Sequence, residues 1–220
     1  MRERLLALFD HMAAHYGHTG WWPGDGPFEI AIGAILTQNT AWTNVERAIA
    51  NLKTAGLLCP EAMLACSTGE LEEVLRPSGY FRVKTDRVRN FCRRLVDGYD
   101  GRMEELARRP LGELRRELLG IKGVGPETAD DILLYACGKP VFVVDAYTRR
   151  ILARHGVVDP AIGYEPLRAL FEENLEADVD LFKEFHGLIV WTGKDFCRKR
   201  PRCESCPLCP LLAEGQPLHV

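Results

Sequence analysis

The stretch Leu119-Gly120-Ile121-Lys122-Gly123-Val124-Gly125-Pro126-Glu127-Thr128-Ala129-Asp130 narrows the possible folds of this chain more than any other. A helical pattern runs into it from Leu111, and a second leaves it over residues 128–136. Two glycines flanking one apolar residue allow a tight hairpin between the helices, because glycine adopts φ > 0 without steric cost. The hairpin directs backbone N–H groups outward at the start of the second helix, where an anion is readily held. The anion suited to a flat, two-glycine hairpin is a nucleic-acid backbone phosphate. The glycine pattern alone is equally that of a turn that binds nothing, and by itself it favours the turn.

The remaining periodicity is helical. Residues 3–16 form an amphipathic pattern with Leu6, Phe9, Met12 and Ala13 on one face. A loop over 16–27 follows, rich in glycine and proline and holding Trp21-Trp22-Pro23; two adjacent tryptophans cannot both enter one core. Residues 28–37 are apolar almost all round and read as a central helix. That helix ends in Thr37-Gln38-Asn39-Thr40-Ala41-Trp42, whose amides suit either a turn or contact with base edges. Further helices are read at 43–55, 60–66, 70–75 (capped by Ser67-Thr68), 84–99, 102–108, 147–154, 163–173 and 178–193. Nothing alternates as a sheet, so the expected class is all-α. His186 lies on an apolar helix and reads as a core histidine.

At 220 residues the chain can hold one large or two modest domains, and 46% hydrophobic with 27% charged residues is ordinary for a globular protein. The N-terminal apolar run is too short for a signal peptide, and no run is long enough to cross a membrane. The expected location is cytoplasmic, on the DNA of a bacterial or archaeal nucleoid. A net charge of -3 argues against a non-specific DNA coat but permits local basic faces. Two basic clusters occur, one of Arg82, Lys84, Arg87, Arg89, Arg93 and Arg94, the other of Arg198, Lys199, Arg200 and Arg202. A solvated face is the usual meaning of such a run.

Of the 8 cysteines, Cys59, Cys66, Cys92 and Cys137 are scattered among apolar neighbours and read as core thiols. The other four crowd the C-terminal region: Cys197, five residues, Cys203, two residues, Cys206, two residues, Cys209. In a cytosolic chain this is a metal pattern rather than a disulfide framework. Spacing alone leaves a 4Fe–4S cluster and a tetrahedral zinc site both open.

Beyond the hairpin come the apolar run Val141-Phe142-Val143-Val144 and Asp145-Ala146-Tyr147-Thr148-Arg149-Arg150-Ile151. Asp145 sits where an N-cap would. Hairpin, helix, apolar run and aspartate in this order resemble the helix-hairpin-helix DNA glycosylases of the endonuclease III superfamily, over nearly the whole chain. The resemblance implies two helical lobes, one of residues 24–139 with the hairpin, the other of 1–23 and 140–220 with the cysteines, and an active site in the cleft between them. It implies that Asp145 is the catalytic carboxylate and that Gln38 fills the gap left by an extruded base. Asn39, Lys122, Gly123, Val124, Gly125, Arg198, Lys199 and Arg200 then fall on the DNA-binding surface. Cys197, Cys203, Cys206 and Cys209 become ligands of a 4Fe–4S cluster, although the family's first and last cysteine gaps are usually longer.

Bifunctional members carry a lysine where Glu127 stands, and a glutamate cannot form an imine. The resemblance therefore implies a monofunctional glycosylase acting, as a monomer, on double-stranded DNA that contains a damaged base. The tryptophan loop and residues 36–42 look closest to the bacterial 3-methyladenine branch. There Trp21 and Trp42 match stacking positions, Trp22 and Pro23 belong with them, and Glu127 and Lys194 complete the base pocket. An alkylated purine is cationic, and indole faces attract cations by roughly 0.5–2 kcal/mol. Two alternatives are an oxidised-pyrimidine or mismatch glycosylase with lyase activity and, from another class, a non-catalytic iron–sulfur DNA-binding module.

Overall fold

A computed structural model of the chain describes residues 1–212. It is all-α, with no strand among the described residues. The helices are α1 (Arg2–Tyr16), α2 (Pro27–Leu36), α3 (Trp42–Thr54), α4 (Pro60–Ala65), α5 (Thr68–Leu75), α6 (Phe81–Tyr99), α7 (Met103–Ala107), α8 (Leu111–Leu119), α9 (Pro126–Asp131), α10 (Ala146–Arg154), α11 (Tyr164–Glu172) and α12 (Val179–Asp195). α9 runs on without a break into one π-helical turn, Ile132–Ala136. No described helix is long and apolar enough to cross a membrane.

The chain divides into two compact units, residues 23–139 and residues 1–22 with those from 140 onward. Residues 213–220, which the sequence places in the cysteine-bearing lobe, lie outside the described residues.

In the unit of residues 23–139, α2 is the core helix. Its residues 31–36 are buried, and it packs on α3, α6 and the π turn, as expected for a helix apolar on every side. α6 buries Val88, Phe91, Cys92 and Leu95 as its pattern predicts. Its basic residues divide, Arg82, Arg93 and Arg94 being exposed while Lys84, Arg87 and Arg89 turn toward the unit. Lys84 is buried, Arg89 binds the carbonyls of Met63 and Cys66, and Arg94 pairs with Glu117 at 2.8 Å. The helix also begins earlier than the pattern suggests, at Phe81, with Tyr80 in the left-handed region at its N-cap. Ser67 caps α5 by accepting from the Glu70 N–H. Cys59 is not a core thiol: it is exposed and caps α4 by accepting from the Ala62 N–H.

In the other unit the apolar run 141–144 is fully buried but unpaired with any strand. The Phe142 N–H donates instead to a side chain, Glu172 Oε1, at 2.9 Å. Phe142 stacks on Phe171 at 3.8 Å and meets Phe182 and Phe185 edge-on, forming an aromatic core under α12. α1 buries Leu5, Leu8 and Met12. This is a neighbouring stripe to the predicted one, since Leu6, Phe9 and Ala13 are only half-buried. The weakly amphipathic sequence leaves that choice to the partner helix.

Candidate functional site

Asp145 ends the buried run and caps α10. Its Oδ1 accepts from the Thr148 N–H at 2.7 Å and from Thr148 Oγ1 at 2.8 Å, and Thr148 Oγ1 in turn accepts from the Asp145 N–H, closing a capping box. One carboxylate oxygen is thus fixed by its own helix. The other, Oδ2, lies 3.9 Å from His186 Nε2 on α12. The side chain of Asp145 keeps 13% of its surface in solvent, so it is held rigidly yet reachable. His186 is buried, and desolvation pushes its pKa below the ordinary 6.5 although the nearby Asp145 charge pulls the other way. A neutral imidazole therefore faces the carboxylate. Sequence reasoning set this histidine aside because its helix is apolar. The signal that it belongs with Asp145 is a tertiary contact.

α12 organises the surroundings of Asp145. A Cβ at Gly187 would stand 2.6 Å from Oγ1 of Thr19 and 2.7 Å from the Cβ of Trp21, and one at Gly193 would stand 2.2 Å from Cδ1 of Tyr147, so the tryptophan loop and the Tyr147 ring both lie directly on the helix backbone. Trp21 and Trp22 are each half-buried, with ring centroids 5.6 Å apart. The ammonium of Lys194 stands 5.1 Å over the Trp21 ring. Asp145, His186, Trp21, Trp22 and Lys194 are thereby gathered around α12 and the start of α10. Pro23 is exposed.

In the unit of residues 23–139 the hairpin joins α8 to α9. Gly123 has φ +99°, and its missing side chain makes room for the stem of Arg87, whose Cγ would lie 2.3 Å from a Cβ. Gly125 differs. Its φ is -94°, and a Cβ there would meet nothing within 4 Å. Only Gly123 needs the conformation expected of both. The N–H of the buried Val124 is committed to the Ile121 carbonyl at 3.0 Å.

Gln38 is tied to the hairpin, its Nε2 donating to the Gly123 carbonyl at 3.1 Å and to Thr128 Oγ1 at 2.8 Å, while Arg87 donates to its Oε1. Asn90 braces the hairpin by donating to the Lys122 carbonyl. Asn39 is exposed with φ +53°, and Lys122 and Glu127 are exposed, Glu127 in the first turn of α9. Trp42 is half-buried at the start of α3.

The four C-terminal cysteines are free thiols that line one cavity, with about 330 Å³ of empty space including its mouth, together with Ile151, Phe196 and Leu208. Two turns shape it, closed by Cys206 N–H to the Cys203 carbonyl and Cys209 N–H to the Cys206 carbonyl, each at 3.0 Å. Arg154 is buried beside them, and among the described residues no carboxylate pairs with it. Its guanidinium donates to Cys197 Sγ at 3.2 Å and to the carbonyls of Arg198 and Lys199. A buried cation aimed at a sulfur is favourable when that sulfur is a thiolate or thiolate-bound group. Burial raises the Cys203 thiol and pushes Cys206 up to about 11. Among the described residues no three His, Cys, Asp or Glu side chains converge tightly enough to hold a single metal ion. The loop between the first two cysteines presents Arg198, Lys199 and Arg200 on the surface.

Comparison with known proteins places this geometry. The HhH-GPD superfamily of base excision DNA repair proteins matches residues 32–177. A protein of Methanocaldococcus jannaschii, provisionally named a DNA repair glycosylase, is 44% identical over 208 residues, 94% of each chain. The structure of the Helicobacter pylori 3-methyladenine DNA glycosylase bound to 1,N6-ethenoadenine aligns with a TM-score of 0.74 and 30% identity, over 88% of this chain and 96% of that one. A non-covalent endonuclease III–DNA complex shares the fold, with a TM-score of 0.83 at 24% identity over 98% and 96% of the two chains.

The lowered pKa of His186 has a stability consequence. Folding favours its neutral form, so its contribution is complete above pH 6.5 and is lost as pH falls from there through the folded-state pKa. His186→Gln removes that loss. Between pH 7 and 5 the variant's unfolding free energy should fall less steeply than the parent's, by up to about 1.4 kcal/mol per pH unit, measured by urea titration. Parallel pH curves would show that the imidazole is not held neutral.

Proposed function

The chain belongs to the HhH-GPD superfamily of base excision DNA repair proteins, and on that premise we propose that it is a monofunctional DNA glycosylase that removes alkylated purines. The observation that carries the reading is Asp145, a carboxylate with one oxygen locked as a helix cap, the other outside that cap, and part of its surface open.

Breaking the C1′–N bond of a nucleotide develops positive charge on the sugar. A carboxylate close to C1′ stabilises that charge and can orient water, at no reorganisation cost if it is already fixed in place. The nucleotide must first leave the stack, at a cost of about a few kcal/mol. Gln38 and Asn39 are assigned to the space it vacates. Trp21, Trp22 and Lys194 are assigned to the extruded base in the one unit, and Pro23, Trp42 and Glu127, in the other, carry the same assignment from the resemblance. A cationic alkylpurine is attracted by indole faces, and its weakened glycosidic bond requires little acid assistance. The neighbouring 3-methyladenine glycosylase supports this substrate class.

Glu127 occupies the first turn of α9, where the lysine of bifunctional relatives would stand, and it cannot form a Schiff base. Asp145→Asn should lower single-turnover release of methylated purine by at least about 100-fold while leaving duplex affinity within a few-fold, and borohydride on abasic DNA should trap no adduct with the parent enzyme. Preferential release of oxidised or mismatched pyrimidines in a parallel panel, or a strong trapped adduct, would replace this reading with the endonuclease III type. A non-catalytic DNA-binding module would be indifferent to Asp145→Asn.

The hairpin is assigned to backbone phosphate. Gly125 carries an independent argument, since neither its φ nor its own neighbours require a glycine. Close approach of the phosphate assigned to the hairpin would. Gly125→Ala is expected to keep the parent melting temperature and to weaken duplex binding about tenfold, read by fluorescence anisotropy. A variant that binds normally would place the phosphate elsewhere.

We assign the four C-terminal thiols to a 4Fe–4S cluster. A single tetrahedral ion needs its sulfurs gathered at about 2.3 Å from one centre, whereas a cubane takes each thiolate at a separate iron. Four thiols that line one cavity, beside a buried arginine, suit a cluster held by four cysteine sulfurs. A cluster there would supply rigidity, with Cys197 and Cys203 anchoring the loop that presents Arg198, Lys199 and Arg200 to phosphate. Protein isolated without chelators should absorb near ~400 nm and lose the band on Cys206→Ser; a colourless protein containing zinc would overturn the assignment.

A further inference from the structure

Lys84 is 1% exposed, and among the described residues no carboxylate pairs with it. A buried ammonium is costly unless each of its protons finds an acceptor. Here the three acceptors come from two different turns. Lys84 Nζ donates to the carbonyl of Leu36 at 2.8 Å, to Thr40 Oγ1 at 3.1 Å and to the carbonyl of Ser78 at 2.7 Å. Leu36 is the last residue of α2, whose negative dipole end favours a cation. Thr40 Oγ1 also donates to the Ser78 carbonyl, so the two turns are joined directly as well as through the ammonium. Burial, and after it the charge of Arg87, pushes Lys84 down to about 8.

The placement of those contacts is what matters. Leu36 and Thr40 flank Gln38 and Asn39 on either side. Each of the two turns has a non-glycine residue in the left-handed region, Asn39 at φ +53° and Tyr80 at φ +45°. Such residues are strained and persist only where their surroundings over-determine them. One turn further along α6, Arg87 donates to Gln38 Oε1, so the same helix holds the turn's backbone through Lys84 and its amide through Arg87.

We propose that Lys84 is a positioning residue for Gln38, a buried clamp that fixes residues 37–41 against the turn before α6 and so sets where Gln38 meets the duplex. The clamp rests on the assignment of Gln38 to the space left by an extruded base. It touches no DNA itself. Its effect is confined to the step at which the base is out, because only there does Gln38 make its contact.

A double-mutant cycle tests it on the full-length protein. Gln38→Ala, Lys84→Met and the pair are compared in single-turnover release of methylated purine and in affinity for undamaged duplex. Thr40→Val, which severs the same bridge with little change in volume, runs through the same cycle and stands in if Lys84→Met does not fold. Each single variant should slow release about tenfold, with duplex affinity within about threefold of the parent, and the double variant should be no slower than Gln38→Ala alone. Multiplying losses, or parental release by both Lys84→Met and Thr40→Val, would overturn the clamp while leaving the role of Gln38 standing. Undiminished release by Gln38→Ala would overturn that role and the clamp with it.

Discussion

Helix α12 is buried from Phe185 to Val190 and again at Thr192 and Gly193, and its two bare positions decide how its neighbours are seated around Asp145. At Gly187 and Gly193 the helix backbone is directly covered by Trp21 and Tyr147, which no side chain would permit. Tyr147 lies two residues after Asp145, so its seat on Gly193 fixes the start of α10 against α12. His186, immediately before Gly187, then faces the carboxylate, and Lys194, immediately after Gly193, stands over Trp21. A methyl group at either glycine would displace an aromatic ring and, with it, the geometry around Asp145.

A second theme is the use of buried cations that have no carboxylate partner among the described residues. Lys84 and Arg154 are each nearly inaccessible, and each is surrounded by carbonyls and by a hydroxyl or a sulfur. Both therefore organise irregular backbone, the 37–41 and 76–80 turns in one case and the 198–199 segment in the other. Loops carry polar backbone groups that helices would satisfy internally, and a multi-donor cation is an economical way to satisfy several at once. The cations available to a phosphate are the exposed ones, Lys122, Arg198, Lys199 and Arg200 among them.

The two hairpin glycines turn out to serve different purposes. Gly123 answers to the chain itself, needing both a positive φ and room for the Arg87 stem. Gly125 answers to nothing within its own surroundings. A motif that looks symmetric in sequence is thus asymmetric in what the fold asks of its two glycines.

The all-α class, the helix order, the buried character of α2 and the capping position of Asp145 were legible in the sequence, because periodicity, capping residues and glycine–proline breaks are local signals that tertiary contacts here reinforce. The buried stripe of α1, the exposed cap made by Cys59 and the fate of the α6 arginines were not, since each depends on which neighbour the helix meets. His186 shows the limit most clearly. An apolar helix marks it as core, and core it is, yet its ring faces the carboxylate of Asp145. Sequence spacing carries no record of a pairing between residues forty-one positions apart. Only the packing of α10 against α12 brought them together, just as only the crossing of two distant turns gave the Lys84 ammonium its three acceptors.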